Sequence, residues 1–302
     1  MESGEYGPNP IVARNTKRNG MVKTVLSRTA QHRLIAEDGP LPGEVWLVGA
    51  GPGDPGLLTI RAASAIELAD VIFYDALLGK AVLEMARPDA KLVGVGKRKA
   101  QEATQQRAIC ASMIEAAQNG ARVVRLKGGD PFIFGRGGEE IAILAKAGIN
   151  LSVVPGVSSG LAAPAAAHIP LTHRGIASAV TFVTAHDERG TMPGLVDWHA
   201  LARSGATLVL FMAQTRLSEV VVELLAAEMR AETPVAIISQ ATLRGERVIF
   251  STLGACTLTL QREALPRPSI IVIGTVASLP LEMRMLLPPS PPPALAVNSC
   301  TV

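Results

Sequence analysis

Residues suited to chemistry gather in one stretch of this 302-residue chain, Arg122 to Glu140, RVVRLKGGDPFIFGRGGEE. The run Val123 to Leu126 reads as a buried strand, and it breaks into Gly128-Gly129-Asp130-Pro131, which continues neither strand nor helix. Two adjacent glycines leave backbone N–H and C=O groups open to a small ligand, and Asp130 adds a carboxylate. A second cluster, Gly135-Arg136-Gly137-Gly138, lets a helix beginning near Glu139 approach closely. The same residues would also serve as two plain turns between a strand and a helix.

Other candidates are scattered along the chain. GAGPGDPG, Gly49 to Gly56, follows a strand, and Asp75 comes at about the right distance for a ribose contact. However, Asp54 stands where a dinucleotide fingerprint has its third glycine, and Pro52 and Pro55 disfavour a helix start there. Nicotinamide binding is therefore the weaker reading. Asp75 at a strand end also suits a turn cap, and Lys97-Arg98-Lys99 suits a solvated basic loop. Arg136 offers a planar, permanently charged fork for carboxylates. Glu139 and Glu140 in a helix's first turn stabilise its positive end with or without a ligand, and His186 alone reads as a hydrogen-bonded structural histidine.

The elements that must position these residues alternate. Strands are expected at Glu44–Val48, Ala69–Tyr74, Lys91–Val95, Arg122–Leu126 and Leu151–Val154, with helices at Thr59–Leu68, Thr104–Gln118, Glu139–Ala147 and Ser158–Ala167. After a proline-containing joint, Ile169 to Arg174, the pattern restarts with strands at Val180–Thr184, Ala206–Met212, Val235–Ser239, Arg247–Ser251 and Ser269–Gly274. Helices fall near Arg216–Met229 and Leu253–Arg262. This is an α/β chain with a mostly parallel sheet, and sites gather at the carboxyl ends of its strands. Residues 1–42 read as a loose arm, 43–172 and 173–287 as two α/β domains, and 288–302 as a disordered proline-rich tail.

Composition narrows the function. Hydrophobic residues make up 48% of the chain, but no apolar run is long enough to span a membrane. Aromatics are 3%, too few for the stacking platforms that single-stranded nucleic acid requires. The formal net charge of +3 is compatible with an anionic small molecule. Cys110, Cys256 and Cys300 are odd in number and far apart, which suggests neither disulfides nor a metal site and fits a reducing cytoplasm.

KGGDPFIFGRGGEE, with VWLVGAGPGDPGLL (Val45 to Leu58) and VPGVSSGLAAPAAAHIPLTHR (Val154 to Arg174), resembles the tetrapyrrole methylases, and among them the uroporphyrinogen-III C-methyltransferases, over Gly43 to Leu281. The resemblance implies a two-domain tetrapyrrole methylase fold, each domain a mostly parallel or mixed sheet flanked by helices. S-adenosylmethionine would lie in a trough between them. It implies cofactor contacts at Pro52, Gly128, Gly129, Asp130 and Ile133, at Ser158 and Ser159 in place of a Thr-Ala pair, at Met212, and at Ala241 where relatives often carry glycine. It implies Asp75 as proton acceptor and Lys97 as proton donor, with Arg136 and Glu139 in substrate handling or catalysis. His173, Arg174 and His186 are added as candidate substrate contacts. The implied reaction methylates uroporphyrinogen III at C-2 and C-7, giving precorrin-2 through precorrin-1, with S-adenosylhomocysteine released by a homodimer that needs no metal. Sirohaem, cobalamin and the modified haem of denitrification all remain open as destinations. Two alternatives stand beside it: a methylase of a later corrin intermediate, another small target or RNA, and a nicotinamide- or nucleotide-binding regulatory module.

Overall fold

The structure, a computed structural model, describes residues 39–76, 78–95, 102–187 and 191–284. Most of the expected amino-terminal arm, Lys97 and the proline-rich tail lie outside the described residues.

The first half is built on five strands: β1 (Val45–Gly49), β2 (Val71–Tyr74), β3 (Lys91–Gly94), β4 (Val123–Lys127) and β5 (Leu151–Val154). They lie in the order β3-β2-β4-β1-β5, and every pairing is parallel. Val45 registers with Val123 on one side and Leu151 on the other, so β1 is central and all five of its residues are buried. Successive side chains of a strand point to opposite faces, and the two faces here feed two separate cores. One gathers Trp46, Val48, Ile72, Val124 and Leu126; the other gathers Val45, Leu47, Phe73, Val123 and Leu144. This strand order differs from the 3-2-1-4 arrangement of the dinucleotide fold.

The second half carries β6 (Val180–Thr184), β7 (Thr207–Phe211), β8 (Pro234–Ser239), β9 (Arg247–Thr252) and β10 (Ser269–Ile273), in the order β6-β7-β10-β8-β9. Only β6 and β7 pair in parallel; the other three pairings are antiparallel. This sheet is therefore mixed, one of the two forms the resemblance implied for each half. The link from Ser239 to Arg247 is too short for the crossover that a parallel neighbour needs, so β9 folds straight back on β8.

The helix Ser159–Ala166 ties the halves together. Its Ala163, with Ala167 and Ile169 beyond it, sits in one core with Val209, Phe211, Ile238 and Ile270 of the second sheet. The short helices Lys80–Leu83 and Trp198–Arg203 had no counterpart in the sequence pattern. Among the described residues, no helix is long and apolar enough to cross a membrane.

Candidate functional site

The two glycine loops that end β1 and β4 bond to each other. Gly51 N donates to Gly129 O at 3.2 Å and Gly129 N to Gly51 O at 2.7 Å. The loop after β5 closes against both. A Cβ on Gly49 would stand 2.5 Å from Gly156 N and 2.7 Å from Gly129 O, so no side chain fits where the three backbones meet. Asp130 stitches this junction, its Oδ1 accepting from Phe132 N at 2.8 Å and its Oδ2 from Gly156 N at 3.1 Å. Asp54 caps a short 3-10 turn, Pro55–Leu57, and the helix begins only at Ile60 behind the Thr59 cap. Its amino terminus is thus displaced from the place a pyrophosphate would need.

Above this junction lies a cleft of about 390 Å³ between the two sheets, within the usual range for small-molecule sites. From the first half it is lined by Pro52, Gly128, Gly129, Asp130 and Ile133. Ser158 and Ser159, at the start of the bridging helix, and Met212 and Ala241 of the second half complete the wall, so all nine expected cofactor residues face one space. Ser158 caps the bridging helix, its Oγ accepting from Gly160 N at 3.3 Å. Three lining residues have left-handed backbones without being glycine: Phe134 (φ 51°), Arg136 (φ 58°) and Met212 (φ 53°). Such strain concentrates at functional sites, where the surrounding fold holds it in place. Phe134 also reaches the second half, its ring centroid 4.8 Å from that of Phe211.

The floor of the cleft is charged and buried. Arg125, on β4, is 2% exposed, yet it is fully engaged. Its Nε donates to Glu140 Oε1 at 2.9 Å, its Nη2 to Asp75 Oδ1 at 2.6 Å, and its Nη1 to the carbonyls of Phe73 and Leu126. Glu140 is wholly buried and also accepts from Gln106 Nε2 at 2.6 Å. Lys127, two residues along β4 on the same face, places its Nζ 3.0 Å from Glu140 Oε2. Burial works to lower the Arg125 pKa, but Asp75 and Glu140 outweigh it and hold it raised. Lys127 is shifted the other way, first by burial and then by Arg125 beside it. Cys110 nearby is pushed up to about 11, chiefly by burial and then by Glu140, so it is an inert thiol.

The remaining expected residues divide. Asp75 and Arg136 line the cleft. Glu139 lies beside it and binds Arg136 in a two-pronged pair, with Nε–Oε1 at 3.0 Å and Nη2–Oε2 at 2.7 Å; hydrogen bonding from Arg136 draws the Glu139 pKa down. His173, Arg174 and His186 are not among the lining residues: His173 Nδ1 bonds Arg174 O at 2.9 Å, and His186 Nε2 bonds Thr215 Oγ1 at 2.8 Å.

Sequence reasoning missed Arg125, Lys127, Glu140 and Gln106 as members of the site. A signal was present in VVRLKGG, where two cations at alternate positions interrupt a strand otherwise fit for burial on both faces. Charges on one face of such a strand require buried partners. Nothing local announced that Glu140 would be one.

Fold and cleft together define a two-sheet α/β protein that receives a small ligand between its halves. A family model described as Tetrapyrrole (Corrin/Porphyrin) Methylases matches residues 44–257, and the chain belongs to that family. It is 43% identical over 249 residues to a uroporphyrinogen-III C-methyltransferase of Synechocystis sp., covering 82% of this chain and 95% of that protein. It is also 43% identical to a siroheme synthase of Hahella chejuensis, over 81% of this chain but 52% of that longer protein. The uroporphyrin-III C-methyl transferase of Thermus thermophilus, solved in complex with S-adenyl homocysteine, superposes with a TM-score of 0.66 at 36% identity, covering 78% of this chain and 99% of that one.

Proposed function

We propose that this chain is a uroporphyrinogen-III C-methyltransferase, using S-adenosylmethionine to methylate C-2 and C-7 of uroporphyrinogen III and yielding precorrin-2 through precorrin-1. The observation that carries the reading is the cleft, which brings together residues from five separate loops that the family resemblance assigns to the cofactor. The cleft fits such a group. A Cβ built on Gly128 meets nothing within 4 Å, so backbone there opens directly onto the space where the cofactor would lie. When bound, the sulfonium supplies an electrophilic methyl group and leaves as a neutral thioether. Gly128, Gly129 and the Ser158-Ser159 turn would hold the cofactor, while Met212 and Ala241 close the opposite wall.

The chain's own contribution is alignment and proton handling. Methylating a pyrrole carbon leaves a cationic centre, and restoring conjugation requires loss of a proton from the macrocycle. In this reading Asp75 takes it, supported by its position at the cleft and its 2.6 Å bond from Arg125. Arg136 stands at the cleft wall, where it can turn from Glu139 to a substrate carboxylate. Lys97 as proton donor and His173, Arg174 and His186 as outer substrate contacts belong to the same reading, as do a homodimeric state and a cytoplasmic setting.

Methyl transfer from labelled S-adenosylmethionine to freshly reduced uroporphyrinogen III, comparing the parent with Asp75→Ala, tests the assignment. Loss of a positioned base predicts a fall in kcat of about 100-fold or more, with S-adenosylhomocysteine affinity retained. An Asp75→Ala protein as fast as the parent would remove Asp75 from the mechanism.

A further inference from the structure

Lys127 closes β4 and immediately precedes Gly128-Gly129. Its side chain is 5% exposed, yet it lines the cleft. An ammonium carries three donors. Among the described residues its polar partner is Glu140, whose Oε2 lies 3.0 Å from Nζ, so one carboxylate oxygen faces three donors. Arg125 beside it has its guanidinium committed on Nε, Nη1 and Nη2. Lys127 is thus a cation at the floor of the cleft with donors to spare. Buried donors in folded proteins have acceptors, and one that faces a ligand space finds its acceptor there. An arriving anion would also offset the burial and the Arg125 repulsion that oppose its charge.

We infer that Lys127 binds a carboxylate of a ligand in the cleft, its remaining N–H groups donating to that anion from the end of β4. The inference deepens the proposed function and rests on it, because both ligands of that reading carry the required chemistry. The aminoacyl end of the cofactor is one source; the carboxylated side chains of the tetrapyrrole are the other.

The test compares the parent, Glu140→Gln, and the double variant Lys127→Met/Glu140→Gln, in which no buried carboxylate is left without the cation that faced it. Calorimetric titration with S-adenosylhomocysteine and with its decarboxylated analogue reads the cofactor source. The KM for uroporphyrinogen III reads the macrocycle source. The expected result is a loss of about tenfold or more in the double variant beyond Glu140→Gln, on one of the two. If S-adenosylhomocysteine affinity falls while the decarboxylated analogue binds all three proteins alike, the partner is the aminoacyl carboxylate. If KM rises with that affinity held, the partner is a macrocycle side chain. Lys127→Gln, which is milder on folding, must show the same selective loss. Double-variant values within about twofold of Glu140→Gln for both ligands overturn the inference, whereas a parent that fails to bind S-adenosylhomocysteine overturns the proposed function beneath it.

Discussion

Gly128 and Gly129 are adjacent, but they do different work. Gly129 has φ +67° and lies under the Ser158-Ser159 turn, so a side chain there strains the backbone; a Cβ on Gly128 enters open cleft. Gly128→Val is therefore expected to keep the parent's melting temperature while weakening S-adenosylhomocysteine about tenfold or more by calorimetry. An unchanged affinity would mean that the cofactor does not lie against this backbone. That Gly128 exposes bare backbone was legible in the sequence, because a glycine pair after a buried strand is itself a local signal. The Arg125–Glu140 contact was not, since it joins a strand to a helix 15 positions away and depends on how the two meet.

At the scale of elements, the end of the first sheet opposite the cleft is pinned by Asp70. It accepts from the Arg122 backbone N at 2.7 Å and from that residue's guanidinium, and it pairs with Arg87, joining the start of β2 to the start of β4. Hydrogen bonding from Arg122 is the main cause that lowers the Asp70 pKa from 3.8 to about 2. A carboxylate depressed in the folded state stabilises it fully above its unfolded pKa, and that contribution drains away as the pH falls through the folded one. With its side chain 27% exposed, solvent screening leaves about 1 kcal/mol. Asp70→Asn should melt below the parent at neutral pH, and the gap should narrow as pH drops from about 4 toward 2. A gap that stays constant across that range would show that the cluster acts through packing alone. Strand positions themselves were readable, since β-branched runs and glycine stops mark them to within a residue or two: β5 and β6 fall where expected. Strand direction in the second sheet was set by the short β8–β9 link and by long-range pairing of β10 between β7 and β8, which periodicity does not encode.

For the whole molecule, the cleft lies between two halves that meet through close contacts. Phe134 of the cradle meets Phe211 of β7, and Gly160 of the bridging helix lies so close to Phe211 that a Cβ would stand 2.5 Å from the ring. The Ala-rich helix Ser159–Ala166 gave no sign in sequence of which sheet it would join, because small residues suit either. The proposed homodimer predicts a light-scattering mass of about twice 31.6 kDa, and a monomer mass would exclude it. The central claim is that this trough aligns a methyl donor with a tetrapyrrole, and the mass of the product tests it most directly. After incubation of the parent protein with S-adenosylmethionine and uroporphyrinogen III, the macrocycle should be recovered two methyl groups heavier, passing through a singly methylated species. A macrocycle recovered at its starting mass, from protein shown to bind S-adenosylhomocysteine, would contradict the claim and move the substrate elsewhere.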